Sequence, residues 1–283
     1  MQIFVTGAAG TVGSAMVGEL KARGFSVVAG VREESRGQGL GADEVRAMDL
    51  AAPETIFHAM QGCRGMVLVL PLVEQMKKYG HNAVLAAKEA GIEHIVRSSG
   101  MGSSFDAHWR LGREHGAVDL AVEQSGLGHT ILRPNVFMQN FTTHLAGAVK
   151  RGVLPLPYKE ARVSYTDVRD IAACAAAVFE NRGEHDGKVY ALTGPEPLTG
   201  ADVASILSDA GVPVEYAPVE EPEYRQALLD AGAPQWNVDM LVSLARIIRR
   251  DMAWNVTGAV EYLTGAKPRS LAAFAAEHAH IWK

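Results

Sequence analysis

The chain has 283 residues, 48% of them apolar, with 27 Lys and Arg against 32 Asp and Glu and a formal net charge of -5. That length gives one large or two modest domains with real cores, the mixed composition excludes disorder and coiled coil, and the negative balance argues against a nucleic-acid partner. The two cysteines, Cys63 and Cys174, lack metal-ligand spacing and read as core thiols; with no membrane-length apolar stretch and no cleavable leader, a cytoplasmic protein without membrane partner or metal is expected.

The opening "MQIFVTGAAGTVGSAMVGELKARG" predicts a buried strand over Gln2 to Thr6, a tight turn, and a helix whose apolar positions Val12, Met16, Val17 and Leu20 recur at helical spacing. Gly7 lets the chain turn, Gly10 lets a ligand approach the backbone, and Gly13 lets the helix pack on the sheet. The helix start then offers unpaired N–H groups to a pyrophosphate, so Thr6, Gly7, Gly10, Thr11, Val12 and Gly13 are candidate dinucleotide-binding residues.

Further strands are predicted at 25–32, 44–50, 65–71, 94–100 and 129–134, with helices at 74–90 and 112–125. Strand and helix alternate with short connections, which specifies an α/β doubly wound parallel sheet. Past Pro134 the regularity breaks. A helix over 135–152, a loop and strand, a helix from about Asp167, and a strand at 187–194 precede a mostly helical tail with one short strand near Val214 to Val219. The expected division is a Rossmann dinucleotide-binding domain over 1–150, to which 163–194 returns, and a smaller, mostly helical C-terminal substrate lobe over 195–283 plus 135–162. The lobe would close over the strand ends as the second wall of a cleft.

"VTGAAGTVG", "AGIEHIVRSSG", "GLGHTILRPNVFMQNF", "VSYTDVRDIA" and "GKVYALTGPEPLTGADVA" resemble the NmrA-like branch of the atypical short-chain dehydrogenases, from residue 5 to about 204. The resemblance implies NADP(H), with NAD(H) as the alternative. Arg32 ends the second strand where NAD enzymes usually offer a carboxylate to the ribose 2′-OH, which suits a 2′-phosphate unless the adjacent Glu33 or Glu34 takes the ribose instead; the resemblance places Asp49 and Leu50 by the adenine, Leu70 and Pro71 on the ribose side, and Ser98, Ser99 and Pro134 along the cofactor. It also marks a departure. Where ordinary members of the superfamily have Tyr-x-x-x-Lys, "LGREHGAVDL" has Leu111 and His115; His115 with Asp119, four residues on, resembles the pair of the NmrA-like reductases. His115 either orients the nicotinamide ribose or donates a proton.

Without the usual acid, the expected acceptor is a conjugated, quinonoid or cationic aromatic molecule rather than a simple ketone, whose reduction creates an alkoxide needing a positioned donor. Trp109, Phe137 and Phe141, with Met101 and Asn135, form the candidate substrate wall, their other reading being ordinary core. Tyr79, Tyr158 and Tyr165 are further phenolic proton sources. The branch also contains regulators that sense the cofactor without chemistry, so a reductase and a sensor both stand. A monomer or homodimer is expected.

Overall fold

The computed structural model describes residues 1–283. Its first half alternates β1 (Gln2–Val5), α1 (Thr11–Ala22), β2 (Ser26–Val31), β3 (Glu44–Ala47), α2 (Pro53–Met60), β4 (Gly65–Leu68), α3 (Met76–Glu89), β5 (His94–Ser98), α4 (Arg110–Glu123) and β6 (Gly128–Pro134). The second half contains α5 (Ala146–Lys150), β7 (Val153–Leu154), α6 (Val168–Glu180), α7 (Arg182–His185), β8 (Lys188–Leu192), α8 (Gly200–Asp209), β9 (Glu215–Tyr216), α9 (Glu221–Asp230), α10 (Gln235–Arg249), α11 (Ala259–Thr264) and α12 (Leu271–His278).

Seven strands form one parallel sheet in the order β3-β2-β1-β4-β5-β6-β8, the doubly wound α/β fold. Alternation along β1 sends Ile3 and Val5 to one face, under α1 and α6, and Phe4 to the other. On that second face Val28, Met66 and Leu68 join Ile56 and Met60 of α2 and Ala83, Val84 and Ala87 of α3. A third core lies apart from the sheet and gathers Met138, Phe141, Val163, Tyr165, Leu207, Ile248, Phe274 and Trp282. Helix α11 does not join it: Val260 packs into the α1 and α6 side of the sheet. Both cysteines are buried thiols, and burial pushes Cys63 up to about 11.

Several expected elements are shorter than their sequence patterns. β3 stops at Ala47 because it is the sheet edge, its residues half-exposed or exposed. β4 stops at Leu68, because the N–H and carbonyl of Val69 are both engaged by the Thr6 hydroxyl instead of a neighbouring strand. The helix expected over 135–152 is divided into a 3₁₀ turn at Met138–Phe141 and the short α5. Here Gln139 is drawn to the start of α6, its amide donating to Asp167 and accepting from the Val168 N–H, at 2.9 and 3.1 Å. The strand near Val214 to Val219 contracts to β9, which pairs in parallel with β7. No helix is long and apolar enough to cross a membrane.

Candidate active site

The strand order reverses at β1 and β4, and in open parallel sheets the crevice at the carboxyl ends of such strands is where ligands bind. Thr6 closes that crevice from beneath. Its Oγ1 donates to the Val69 carbonyl at 2.7 Å and accepts from the Val69 N–H at 2.8 Å, joining the ends of β1 and β4. Gly7 follows at φ +58°, the left-handed turn for which glycine is suited. A Cβ on Gly13 would overlap the Gly7 carbonyl, so this glycine permits the helix to sit on the loop. Gly10 differs: a Cβ there would meet only the Gly7 oxygen, at 3.3 Å, and otherwise open space. The Gly10 N–H donates back to Gly7 at 2.9 Å, which takes it off the roster of free donors. The donors left at the start of α1 belong to Thr11 and its successors in the first turn, where no side chain caps the helix and no acid stands.

Above this helix start lies a cleft of about 600 Å³. It brings together Gly7, Gly10, Thr11, Val12, Arg32, Asp49, Leu50, Leu70, Pro71 and Phe137 from the sequence-based set. Arg32 is largely exposed, with Nη2 3.9 Å from Asp49 Oδ1. Arg36, Tyr79, Gln139, Asn140 and Thr143 also line the cleft. The residues present fit a dinucleotide: an open glycine surface, an uncapped helix start for a pyrophosphate, and two arginines beside the β2 end for a ribose phosphate.

Beneath the neighbouring end of β5 is a charged network. Arg97, fully buried, donates to the carbonyls of Leu68 and Ser98 and from Nη2 to Nδ1 of His115, at 3.2 Å. Asp119, 2% exposed, accepts from Arg133 Nη2 and Nε at 3.0 and 3.2 Å and from Ser99 Oγ at 2.9 Å, with Arg97 Nε 3.8 Å away. His115 and Asp119 therefore do not pair directly; Arg97 stands between them. Burial, followed by the Arg97 charge, pulls the His115 pKa down to about 3, so the ring is neutral at physiological pH.

The profile of the NmrA-like family matches residues 1–270. The chain belongs to the NmrA-like family. It is 34% identical to the NAD(P)H azoreductase of Xenophilus azovorans over 280 residues, 98% of each chain. Its fold is similar to that of the NADPH-dependent quinone oxidoreductase QOR2 of Escherichia coli, solved with NADPH, at TM-score 0.85 and 26% identity over 97% of this chain and 99% of that one. The Citrobacter triphenylmethane reductase, solved with NADP(H), superposes at TM-score 0.84 and 24% identity over 98% of this chain and 99% of that one, a likeness of fold.

In this NmrA-like chain several sequence-based candidates lie off the main cleft. Thr6 and Gly13 hold the loop rather than face the cleft, as their contacts above require. Ser98 and Ser99 are buried at the β5 end, and the Pro134 carbonyl accepts from the Met101 N–H at 2.9 Å. Asn135 is consumed by the protein: its amide donates to Ser164 Oγ at 2.9 Å and the Ala253 carbonyl at 2.7 Å, and its oxygen accepts from the Val136 N–H. Phe141, 1% exposed, belongs to the third core, its ring edge-on to Tyr165 with centroids 5.2 Å apart. Trp109 precedes α4 and packs over Gly102 and Gly112. Two further side chains of the site give little signal in the sequence: Arg97, whose place inside a strand hides its charge, and Arg36, which "VREESRG" sets four residues after Arg32.

Proposed function

We propose that the chain is an NAD(P)H-dependent reductase, with NADP(H) preferred, whose acceptor is a flat conjugated, quinonoid or cationic aromatic molecule. The observation that carries the dinucleotide part is the uncapped, acid-free start of α1 beneath the Gly10 surface, in a cleft with Arg32 and Arg36 on its rim. Thr11 and Val12 would hold the pyrophosphate, Arg32 and Arg36 the 2′-phosphate, Asp49 and Leu50 the adenine side, and Leu70 and Pro71 the ribose side. The bound nicotinamide supplies a hydride.

The remaining work belongs to the chain. Arg97 has only donors, so the His115 Nδ1 facing it is an acceptor and the neutral ring carries its proton on Nε2. That N–H is oriented before any ligand arrives and suits a hydroxyl or a carbonyl oxygen rather than full proton transfer. Phe137 gives the cleft an apolar wall and excludes water. The names of the azoreductase and of the quinone and triphenylmethane reductases support an aromatic acceptor.

The test is consumption of NADPH and NADH by the purified protein with a panel of quinones, azo dyes, triarylmethane dyes and simple ketones. Turnover with the aromatic acceptors and preference for NADPH is expected. Cofactor binding without oxidation by any acceptor would favour a sensor, and turnover confined to simple ketones would refute the acceptor class.

A further inference from the structure

A second cavity, of about 370 Å³, lies in the smaller lobe and shares Asn140 with the main cleft. Its wall is mostly apolar: Val136, Phe141, Leu145, Leu156, Leu228 and Leu241. One lining side chain stands out. Tyr165 is 2% exposed, its hydroxyl is buried, and no protein group hydrogen-bonds to it. A buried hydroxyl left without a partner is costly, so its position is best explained by a ligand atom that completes it.

Helix α9 supplies a second observation. It contains no buried residue, although Tyr224, Ala227 and Leu228 fall on one stripe that Ala231 extends beyond its end. That stripe lines the cavity instead of packing into the core. A flank of the helix is tied to α10 by Arg225 to Asp239 at 2.8 Å and by Arg246 Nε to Glu221 at 2.7 Å, so the wall is held in place while its apolar face stays uncovered.

We propose that this cavity is the acceptor subsite, taking a flat two- or three-ring aromatic that carries a carbonyl or comparable acceptor atom, to which the Tyr165 hydroxyl donates. The assignment rests on the reductase reading, and the two cavities meet at Asn140, which lines both. Burial keeps Tyr165 a neutral phenol throughout the ordinary pH range, so it serves as a donor and not as a base. The volume lies within the range of pockets that enclose small organic ligands.

The test uses full-length protein saturated with NADP⁺, so that no turnover occurs, titrated with 1,4-naphthoquinone and with naphthalene, which has the same rings and no carbonyl. Tyr165→Phe should weaken naphthoquinone about tenfold and leave naphthalene within twofold. Leu228→Trp, which fills the cavity from the partly exposed α9, should weaken both ligands at least tenfold. NADPH affinity, read by its own fluorescence, should stay within twofold in both variants. Naphthoquinone binding that survives both substitutions, or wild-type protein that binds NADPH but not naphthoquinone, would overturn the subsite while leaving the dinucleotide site standing. Failure of the wild type to bind either nicotinamide cofactor would instead overturn the reductase reading beneath it.

Discussion

Arg97 fixes the tautomer of His115. A guanidinium has no acceptor, so the 3.2 Å contact from Nη2 leaves Nδ1 unprotonated and commits the ring proton to Nε2. Its pKa of about 3, set first by burial and then by the Arg97 charge, means that the ring does not titrate between pH 5 and 8. The pH profile of kcat/KM should therefore show no inflection near 6.5 that is lost in His115→Ala. The variant should turn over more slowly by a similar factor at every pH. A limb near 6.5 present only in the wild type would restore the acid role.

The same shift carries a stability consequence. His115 falls to about 3 and His94, buried beside Thr130, to about 4, from an ordinary 6.5. Between those values and 6.5 the unfolded chain binds more protons than the folded one, so stability is full above pH 6.5 and falls as pH drops through that window. Urea denaturation at pH 7 and pH 5 should show this loss, and His94→Gln should narrow the difference.

Asp119 neutralises a region that would otherwise bury positive charge alone. Asp119→Asn leaves Arg97 without its nearby carboxylate and Arg133 with a weakened partner. Breaking a buried pair typically costs about 3–5 kcal/mol, and denaturant titration should find a loss of that order. Arg133→Ala, on the more exposed side of the network, should cost less.

Two glycines three residues apart, Gly10 and Gly13, separate folding from binding. Gly13→Ala would drive its methyl into the Gly7 carbonyl and should destabilise the protein by about 1–3 kcal/mol whether or not a ligand is present. Gly10→Val places its bulk on the open side and should leave the melting temperature nearly unchanged while abolishing measurable NADPH binding. Unaltered NADPH affinity in Gly10→Val would move the pyrophosphate elsewhere.

Arg32 and Arg36 line the cleft together. Arg32→Ala should weaken NADPH about tenfold with little effect on NADH, as loss of one charge-assisted contact requires. If Arg36 shares the phosphate, the double variant should bring the two cofactors to parity, as read from their dissociation constants. A wild type that prefers NADH would remove the assignment from both.

The sheet was legible because β1, β2 and β4 are runs of buried residues separated by amphipathic helices, a pattern that fixes topology almost by itself. The glycine loop was legible for the same reason, since steric demands act on neighbours in sequence. Side-chain partnerships were not. Asn135 has the chemistry of a ligand-binding residue, yet Ala253 and Ser164, distant in sequence, use its amide. Phe141 sits in a polar-interrupted stretch and is nevertheless core, because the last residues of the chain pack over it: Trp282 Nε1 donates to its carbonyl at 2.8 Å. The helix expected over 135–152 failed because Gln139 finds better partners at Asp167 and Val168 than a continuous helix would offer.

The all-parallel ladder also makes every strand pairing a closure between distant parts of the chain. β1 has one neighbour in β2 but must wait for β4, Ile3 pairing with Gly65, before the crevice exists. β8 joins β6 only after the excursion between Pro134 and Lys188 has been laid down, and Asn135 is then locked by a carbonyl from residue 253. Such distant closures make refolding slow, in the range of milliseconds to seconds or beyond. The cleft thus exists only once Phe137, Gln139, Asn140 and Thr143 have met a glycine loop more than a hundred residues earlier in the chain.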